Sequence, residues 1–344
     1  ALMDARGRFL REGQPYLVLG LYHVAPAEFA SIAKAGFNVA VTAPPASAEE
    51  LQATVQAARE AKLAVAVPLY PALQDSTAAE AALELVKAQS GNLGIFGWLL
   101  ADEPELKPAQ AGALPDLYLR VRQADDVHPA LLNLGPGADL AVWAPLADAL
   151  LVSLLPGKDE RPEAVGKRIQ TVAAALRESN QSWIGVLPAG WSGYIPTTAR
   201  ARSYLYQLLA AGAQGVFWFS LREGKWDLTK APLWEDLPKL NAEAQELAEA
   251  LTEAQEWSEL EVSVKGVTAR GAKRGPQAWL LLFNSTDEAV SGYLRVPEPV
   301  AEAEYLDGGQ LKVNNRTLNF EVPGAGARAV RLSLEAKPAT TPPP

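Results

Sequence analysis

From Tyr16 onward the chain alternates between short apolar runs and longer, Ala-rich amphipathic stretches. The apolar runs fall at 16–22 (YLVLGLY), 37–43 (FNVAVTA), 63–70 (LAVAVPLY), 93–100 (LGIFGWLL), 130–134 (ALLNL), 149–155 (ALLVSLL), 183–188 (WIGVLP) and 215–221 (GVFWFSL). Polar residues barely interrupt them, the texture of strands buried on both faces of a parallel sheet. Between them lie segments of helical character at 27–35, 48–61, 77–90, 109–124, 162–178 and 197–212. An eighth helix is predicted over 236–256, where Leu240, Ala244, Leu247, Leu251 and Ala254 form one apolar stripe. Ser47, ahead of Ala48-Glu49-Glu50, reads as a helix N-cap with acids in the first turn.

Eight strand-then-helix units across residues 16–256 match the order of a (β/α)8 barrel of about 250 residues. A doubly wound sheet is the alternative, but no G-x-G-x-x-G follows any strand and no P-loop occurs. Residues 6–15 read as a glycine-turned hairpin. After Trp257 the texture changes to short alternating segments at 258–264, 277–283, 289–296, 316–321 and 327–333, broken by Gly, Pro and Asn. That is the pattern of a small antiparallel β domain. The fold expected is therefore α/β: a TIM barrel over 1–256 with its N-terminal hairpin, then a β-sandwich over 257–335. A Pro/Thr-rich tail over 336–344 completes the chain.

Composition narrows the chemistry. Hydrophobic residues make up 49% of the 344, ample for a large core. A net charge of −9 argues against a nucleic-acid partner, which needs a basic surface. Cysteine is absent, which excludes disulfides, thiolate metal sites and cysteine nucleophiles. With only His23 and His128, no His-rich metal centre is expected, and no cofactor motif is present. No run of 18 apolar residues would span a membrane. The chain opens at Ala1 without a charged, apolar leader, and its Pro/Thr tail is of a kind frequent on exported proteins, so the expectation is secreted or periplasmic. The sequons at Asn180, Asn284 and Asn315 are patterns short enough to arise by chance.

The stretch Gly97-Trp98-Leu99-Leu100-Ala101-Asp102-Glu103-Pro104-Glu105 carries the most chemistry. A buried strand ends there in two adjacent carboxylates, at the edge where α/β barrels place their active sites. Pro104 stops the strand and stiffens the backbone beside Glu103. The competing reading is a solvated acidic turn.

Several segments resemble glycoside hydrolase barrels of the clan A type. Arg11-Glu12-Gly13-Gln14-Pro15 running into Tyr16–His23 is similar to their entry into the first strand. Trp98 to Pro104 looks like their fourth strand with its acid/base glutamate before a proline. Gly215–Ser220 is similar to their eighth strand, and the C-terminal β domain to their accessory sandwich. The resemblance implies hydrolysis of a glycosidic bond in an oligo- or polysaccharide, with Glu103 as general acid/base. It departs at two places. Asp102 stands where these enzymes usually carry a hydrogen-bond-donating asparagine. The seventh strand reads Val186-Leu187-Pro188-Ala189-Gly190-Trp191, with no carboxylate where the nucleophile is expected.

Glycosidases generally need two carboxyl groups, about 5 Å apart for retention and about 6.5–9.5 Å for inversion. Glu223 and Asp227, after the eighth strand, are the candidates for the second; Asp159 and Glu160 lie in a mixed-charge cluster and read as a solvated turn. Asp102, Tyr22, His23, Tyr70, Asn133, Trp191, Tyr194, Trp218 and Trp226 are candidate sugar contacts, because flat rings suit the apolar faces of pyranoses. Thr42 sits at a strand end too. Trp98 and Trp218 also fit as filling of the barrel interior, and His128 as a structural residue at the base of the fifth strand. Should no second carboxylate be in reach of Glu103, the alternative is a glycan-binding barrel that has lost hydrolysis.

Overall fold

The computed structural model describes all residues except 1, 136, 158–159, 180, 192, 253 and 336–344. The Pro/Thr tail, Asp159 and the Asn180 sequon thus lie outside the described residues. Eight parallel strands close into a barrel: β1 Val18–Leu21, β2 Val39–Val41, β3 Ala64–Pro68, β4 Ile95–Asp102, β5 Ala130–Leu134, β6 Ala149–Ser153, β7 Ser182–Pro188 and β8 Gly215–Phe219. They pair in chain order, and β8 closes on β1. Every residue of β1, β2, β5, β6 and β7 is buried, as their unbroken apolar runs require.

The helices following the strands are α1 Phe29–Lys34, α2 Ala48–Glu60, α3 Ser76–Gln89, α4 Leu114–Ala124, α5 Leu140–Trp143, α6 Pro162–Glu178, α7 Thr198–Ala210 and α8 Pro232–Thr252. The Ser47 hydroxyl accepts the Glu50 N–H at 3.2 Å and caps α2. Between β5 and β6 only the four-residue α5 and a 3₁₀ turn fit, and the sequence shows no helical period there.

Alternation along each strand sorts side chains between the barrel interior and the outer face. Val18, Tyr22, Val39, Phe96, Leu99, Leu131, Leu151 and Phe217 belong to one interior cluster. Phe9, beside the N-terminal hairpin of Leu10–Arg11 with Gln14–Pro15, joins it 5.0 Å from Phe96. Gly20 makes room for Phe217, whose ring lies 2.3 Å from where a Cβ would stand.

Two of the tryptophans thereby lie elsewhere than the interior. Trp98 pairs with Ala130, on the face opposite Leu99 and Leu131, and its indole donates to Asp125 Oδ2 at 2.9 Å. Trp218 alternates with Phe217 and Phe219 and is buried on the outer face. The reading of Trp218 as a sugar contact is therefore corrected: strand parity turns it away from the mouth. His128 is fully buried; its Nδ1 donates to Asp125 at 2.6 Å, and Nε2 lies 3.0 Å from the Asn92 carbonyl.

The chain divides into two compact units, Ala1–Pro196 with Gln207–Asn241, and Thr197–Tyr206 with Ala242–Pro344. The second contains a five-stranded and a four-stranded antiparallel sheet around one core that includes Trp257, Leu280, Leu294, Phe320 and Leu332. Strands Val267–Arg274 and Val300–Tyr305 were not visible as such in the sequence, since Arg, Lys and Glu take three of the eight positions of the first and two of the six of the second. In the same unit Arg202 forms a buried pair with Glu243 at 2.8 Å, and the Tyr206 hydroxyl donates to Glu243 at 2.6 Å.

Candidate active site

The C-terminal ends of the barrel strands carry Tyr22-His23, Thr42, Tyr70, Asp102-Glu103, Asn133, Ser153, Ala189 and Ser220. Among them β4 alone ends in carboxylates. Its register shifts against β5 between Leu99 and Ala101, so Ala101 pairs with Leu132 and Asp102 with Asn133. A bulge of this kind re-aims the side chains beyond it. Asn133 stands two residues beyond the interior Leu131, and Ser153 two beyond the interior Leu151, so both point inward at the mouth.

These residues form a connected polar group. Asn133 Nδ2 donates to Asp102 Oδ1 at 2.5 Å and lies 3.3 Å from the Ser153 hydroxyl. Ser153 also acts on the Glu103 side chain, drawing its carboxyl down. Glu103 itself has φ of 48°, in the left-handed region that non-glycine residues seldom occupy. Its N–H donates to the Asn133 carbonyl at 2.9 Å, and Pro104 begins a 3₁₀ turn directly after it. Strain held in place at a strand end is a common companion of function.

Glu105 lies close by. Its Oε1 accepts the Gly135 N–H at 2.5 Å, and a Cβ on Gly135 would meet Glu105 Oε1 at 2.6 Å and Glu103 Oε1 at 3.4 Å. Lys107 Nζ donates to the Asp102 carbonyl at 2.6 Å. Burial raises the Glu103 carboxyl above the usual range, and the charges of Asp102 and Glu105 add to it; Lys107 and Ser153 act against them. Glu103 is thus biased toward the protonated form, as a general acid requires.

Tyr22 is 3% exposed, and its hydroxyl has no hydrogen-bond partner among the described residues. Burial pushes its phenol well above the ordinary value, with further contributions from Tyr70, Asp102 and Glu103. Tyr70 is raised by burial and by Asp102. Both remain hydrogen-bond donors at neutral pH.

An aromatic rim adjoins this group. Trp191 stacks on Tyr194 at 4.9 Å and meets Phe219 edge-on at 6.4 Å. Phe219 also contacts Tyr22 at 5.8 Å and His23 at 5.2 Å. His23 Nδ1 lies 3.0 Å from the Arg222 carbonyl, which ties the end of β1 to the loop after β8. Trp226 donates its indole N–H to the Ser220 carbonyl at 2.9 Å and packs on Gly190, where a Cβ would lie 2.5 Å from its ring.

The loop after β8 is a two-stranded hairpin, Arg222–Glu223 with Trp226–Asp227. Glu223 is exposed. Asp227 pairs with Arg222 at 2.7 Å and Lys230 at 3.4 Å, and its Oδ1 accepts from the Thr229 N–H and hydroxyl. The Thr229 bond and Arg222 hold its carboxyl at about 2 despite some desolvation. Arg222 also binds Glu28 at 2.6 Å. Among the described residues no hydrogen bond or ion pair joins Glu223 or Asp227 to Glu103. Glu160 is occupied by Arg168.

The structure thus brings Tyr22, Tyr70, Asp102, Glu103 and Asn133 together, with Trp191 and Tyr194 on the rim. Sequence reasoning missed Ser153, Glu105, Lys107 and Gly135. Ser153 had a signal, as the one polar residue in its strand run; Gly135 had none.

No family model matches the chain, and neither does any curated protein. Solved structures share the architecture. An α-amylase from Geobacillus thermoleovorans, complexed with acarbose, is 11% identical at a TM-score of 0.58, covering 90% of this chain and 92% of its own. A GH27 β-L-arabinopyranosidase from Geobacillus stearothermophilus is 13% identical at 0.59, with 94% and 97% covered. A glycoside hydrolase family 30 subfamily 8 xylanase from Clostridium acetobutylicum is 8% identical at 0.57, with 92% and 95% covered. The chain therefore has the barrel-plus-sandwich fold found in these glycoside hydrolases, as the resemblance in its sequence implied.

Proposed function

We propose that this barrel cleaves a glycosidic bond in an oligo- or polysaccharide, with Glu103 as general acid and then general base. The observation that carries the reading is Glu103 itself: a half-buried carboxyl at the end of β4, held by a left-handed backbone and biased toward its protonated form. Glycoside hydrolysis uses a carboxyl held protonated together with a second acidic or acceptor group. Asp102, anchored by Asn133, stands beside Glu103 as that acceptor. Tyr22 and Tyr70 supply phenol donors, and the partly exposed Trp191, stacked on the buried Tyr194, offers a flat face to a sugar ring. That solved barrels of this fold are described as an amylase, a xylanase and an arabinopyranosidase agrees with a sugar ligand.

The seventh strand ends in Pro188-Ala189-Gly190, without a carboxylate, and this favours a second reading: a barrel that binds glycan without cleaving it. Hydrolysis of a panel of aryl glycosides and polysaccharides, compared between the native protein and Glu103→Gln, separates the two. The substitution keeps size and hydrogen bonding but removes the proton donor. The expected result is a fall of about 10²–10⁴-fold in turnover. Activity that survives the substitution refutes the role of Glu103, and binding without turnover on the whole panel establishes the second reading.

A further inference from the structure

A glycosidase whose mouth carries carboxylates on one strand end needs its nucleophile from another source. Of the carboxylates on the neighbouring loops, Arg222 engages Asp227 and Glu28 and Arg168 engages Glu160, while Glu223 is exposed on its hairpin and Glu105 is held by the Gly135 N–H two residues from the acid. Asp102 lies one residue from the acid, which is too close in the chain to attack from the opposite face of a sugar held against Glu103. It is nevertheless well placed as an acceptor. Asn133 holds one of its oxygens, and no described residue donates to the other. A substrate group beside the reacting carbon that carries an N–H or O–H can donate to that oxygen.

Tyr22 sets the complementary demand. Its phenol is buried and unpartnered, near enough to feel the charges of Asp102 and Glu103. A buried donor left without a partner carries a desolvation penalty that a ligand acceptor removes. An unpaired acceptor beside an unpaired donor matches a secondary amide, which presents N–H and C=O together.

We propose, building on the glycosidase reading above, that the substrate is a 2-acetamido-2-deoxyglycoside and that its own acetamido carbonyl is the nucleophile. Asp102 accepts the amide N–H and orients the group, while Tyr22 donates to the carbonyl oxygen and positions it. The carbonyl oxygen bonds to the anomeric carbon as the bond to the leaving oxygen breaks, and Glu103 gives that oxygen its proton. The product is a bicyclic oxazoline, its nitrogen proton resting on or shared with Asp102. Glu103, now a carboxylate, takes a proton from water; the water oxygen bonds to the anomeric carbon, and the carbonyl oxygen leaves with the amide restored. The carbonyl reaches only the face opposite the leaving group, so the substrates are 1,2-trans glycosides, the β-anomers of the gluco and galacto series.

The test compares 4-nitrophenyl 2-acetamido-2-deoxy-β-glucoside and -galactoside with their 2-hydroxy counterparts on the native protein. A second series replaces acetyl by mono-, di- and trifluoroacetyl, which weakens the carbonyl as a nucleophile. The expected result is cleavage confined to the acetamido compounds, with kcat/KM falling about tenfold or more across the fluorine series. Asp102→Asn, checked for an unchanged melting temperature, should lose about 10²-fold in kcat and less in KM. A sugar-fused thiazoline, which mimics the cyclised intermediate, should raise the melting temperature of the native protein. Equal cleavage of 2-hydroxy glycosides, or indifference to fluorine, overturns the proposal and leaves Glu103 as the acid. Failure to cleave either series, with no thermal response to the thiazoline, overturns both.

Discussion

At the scale of the residue, Glu103 illustrates a conflict between stability and chemistry. Burial raises its carboxyl, and Asp102 and Glu105 raise it further, so the native state binds this proton more tightly than the unfolded chain does. Below the ordinary glutamate range both states hold the proton and nothing is lost. As pH rises through the elevated native value, ionised Glu103 destabilises the fold. Glu103→Gln should therefore melt at a higher temperature than the native protein at neutral pH, with the advantage fading in acid; thermal melts at a series of pH values from acid to neutral check this. The same charges set the upper limb of any pH–rate profile. Glu105→Gln removes a repulsive charge and should move that limb to lower pH, while Lys107→Met should move it to higher pH. Glu103 was legible in the sequence, because an apolar run ending in an acid and a proline has few meanings. The partners that tune it were not. Ser153 ends β6 and Gly135 follows β5, and only the pairing of β4, β5 and β6 brings them to Glu103.

At the scale of the element, all eight barrel strands were visible as apolar runs, since parallel strands buried on both faces tolerate almost no polar residue. What a run cannot carry is parity. The bulge between Leu99 and Ala101 decides that Asp102 faces Asn133, and simple alternation decides that Trp218 turns outward. Trp98 shows the consequence on the outer face. Its indole and His128 both donate to Asp125, which also accepts the backbone N–H groups of Val127 at 2.9 Å and His128 at 3.2 Å. Desolvation opposes ionisation there, but the bonds from His128 and Trp98 outweigh it and hold Asp125 at about 2. Asp125→Ala leaves four donors without their acceptor, two of them side chains buried at the root of the barrel. The expected loss is about 3–5 kcal/mol, the range for breaking a buried polar pair from one side, read by urea denaturation at neutral pH. Because the native carboxyl is depressed, its stabilisation is present above the ordinary aspartate range and fades as pH falls toward about 2. The gap between native protein and variant should narrow in the same acid window.

At the scale of the whole molecule, charge bears on which glycans the proposed glycosidase would admit. The chain carries a net −9, and the polar group at the end of β4 holds Asp102, Glu103 and Glu105 against Lys107. Such a field repels polyanions at long range and leaves neutral sugars unaffected. The rim agrees with this: the partly exposed Trp191 and Phe219 offer aromatic surface, which gains affinity from the apolar faces of sugar rings without a counter-charge. Neutral glycans, the acetamido sugars among them, should therefore bind with little dependence on salt. Polyuronates should bind weakly at low ionic strength and no better than neutral glycans when the Debye length is shortened to about 8–10 Å. Affinity electrophoresis or calorimetry with one neutral and one uronate polymer, at low and moderate salt, reads both quantities. Tight uronate binding that weakens as salt is added would mean that a cationic surface guides the ligand, and the acidic mouth would then not be what selects it.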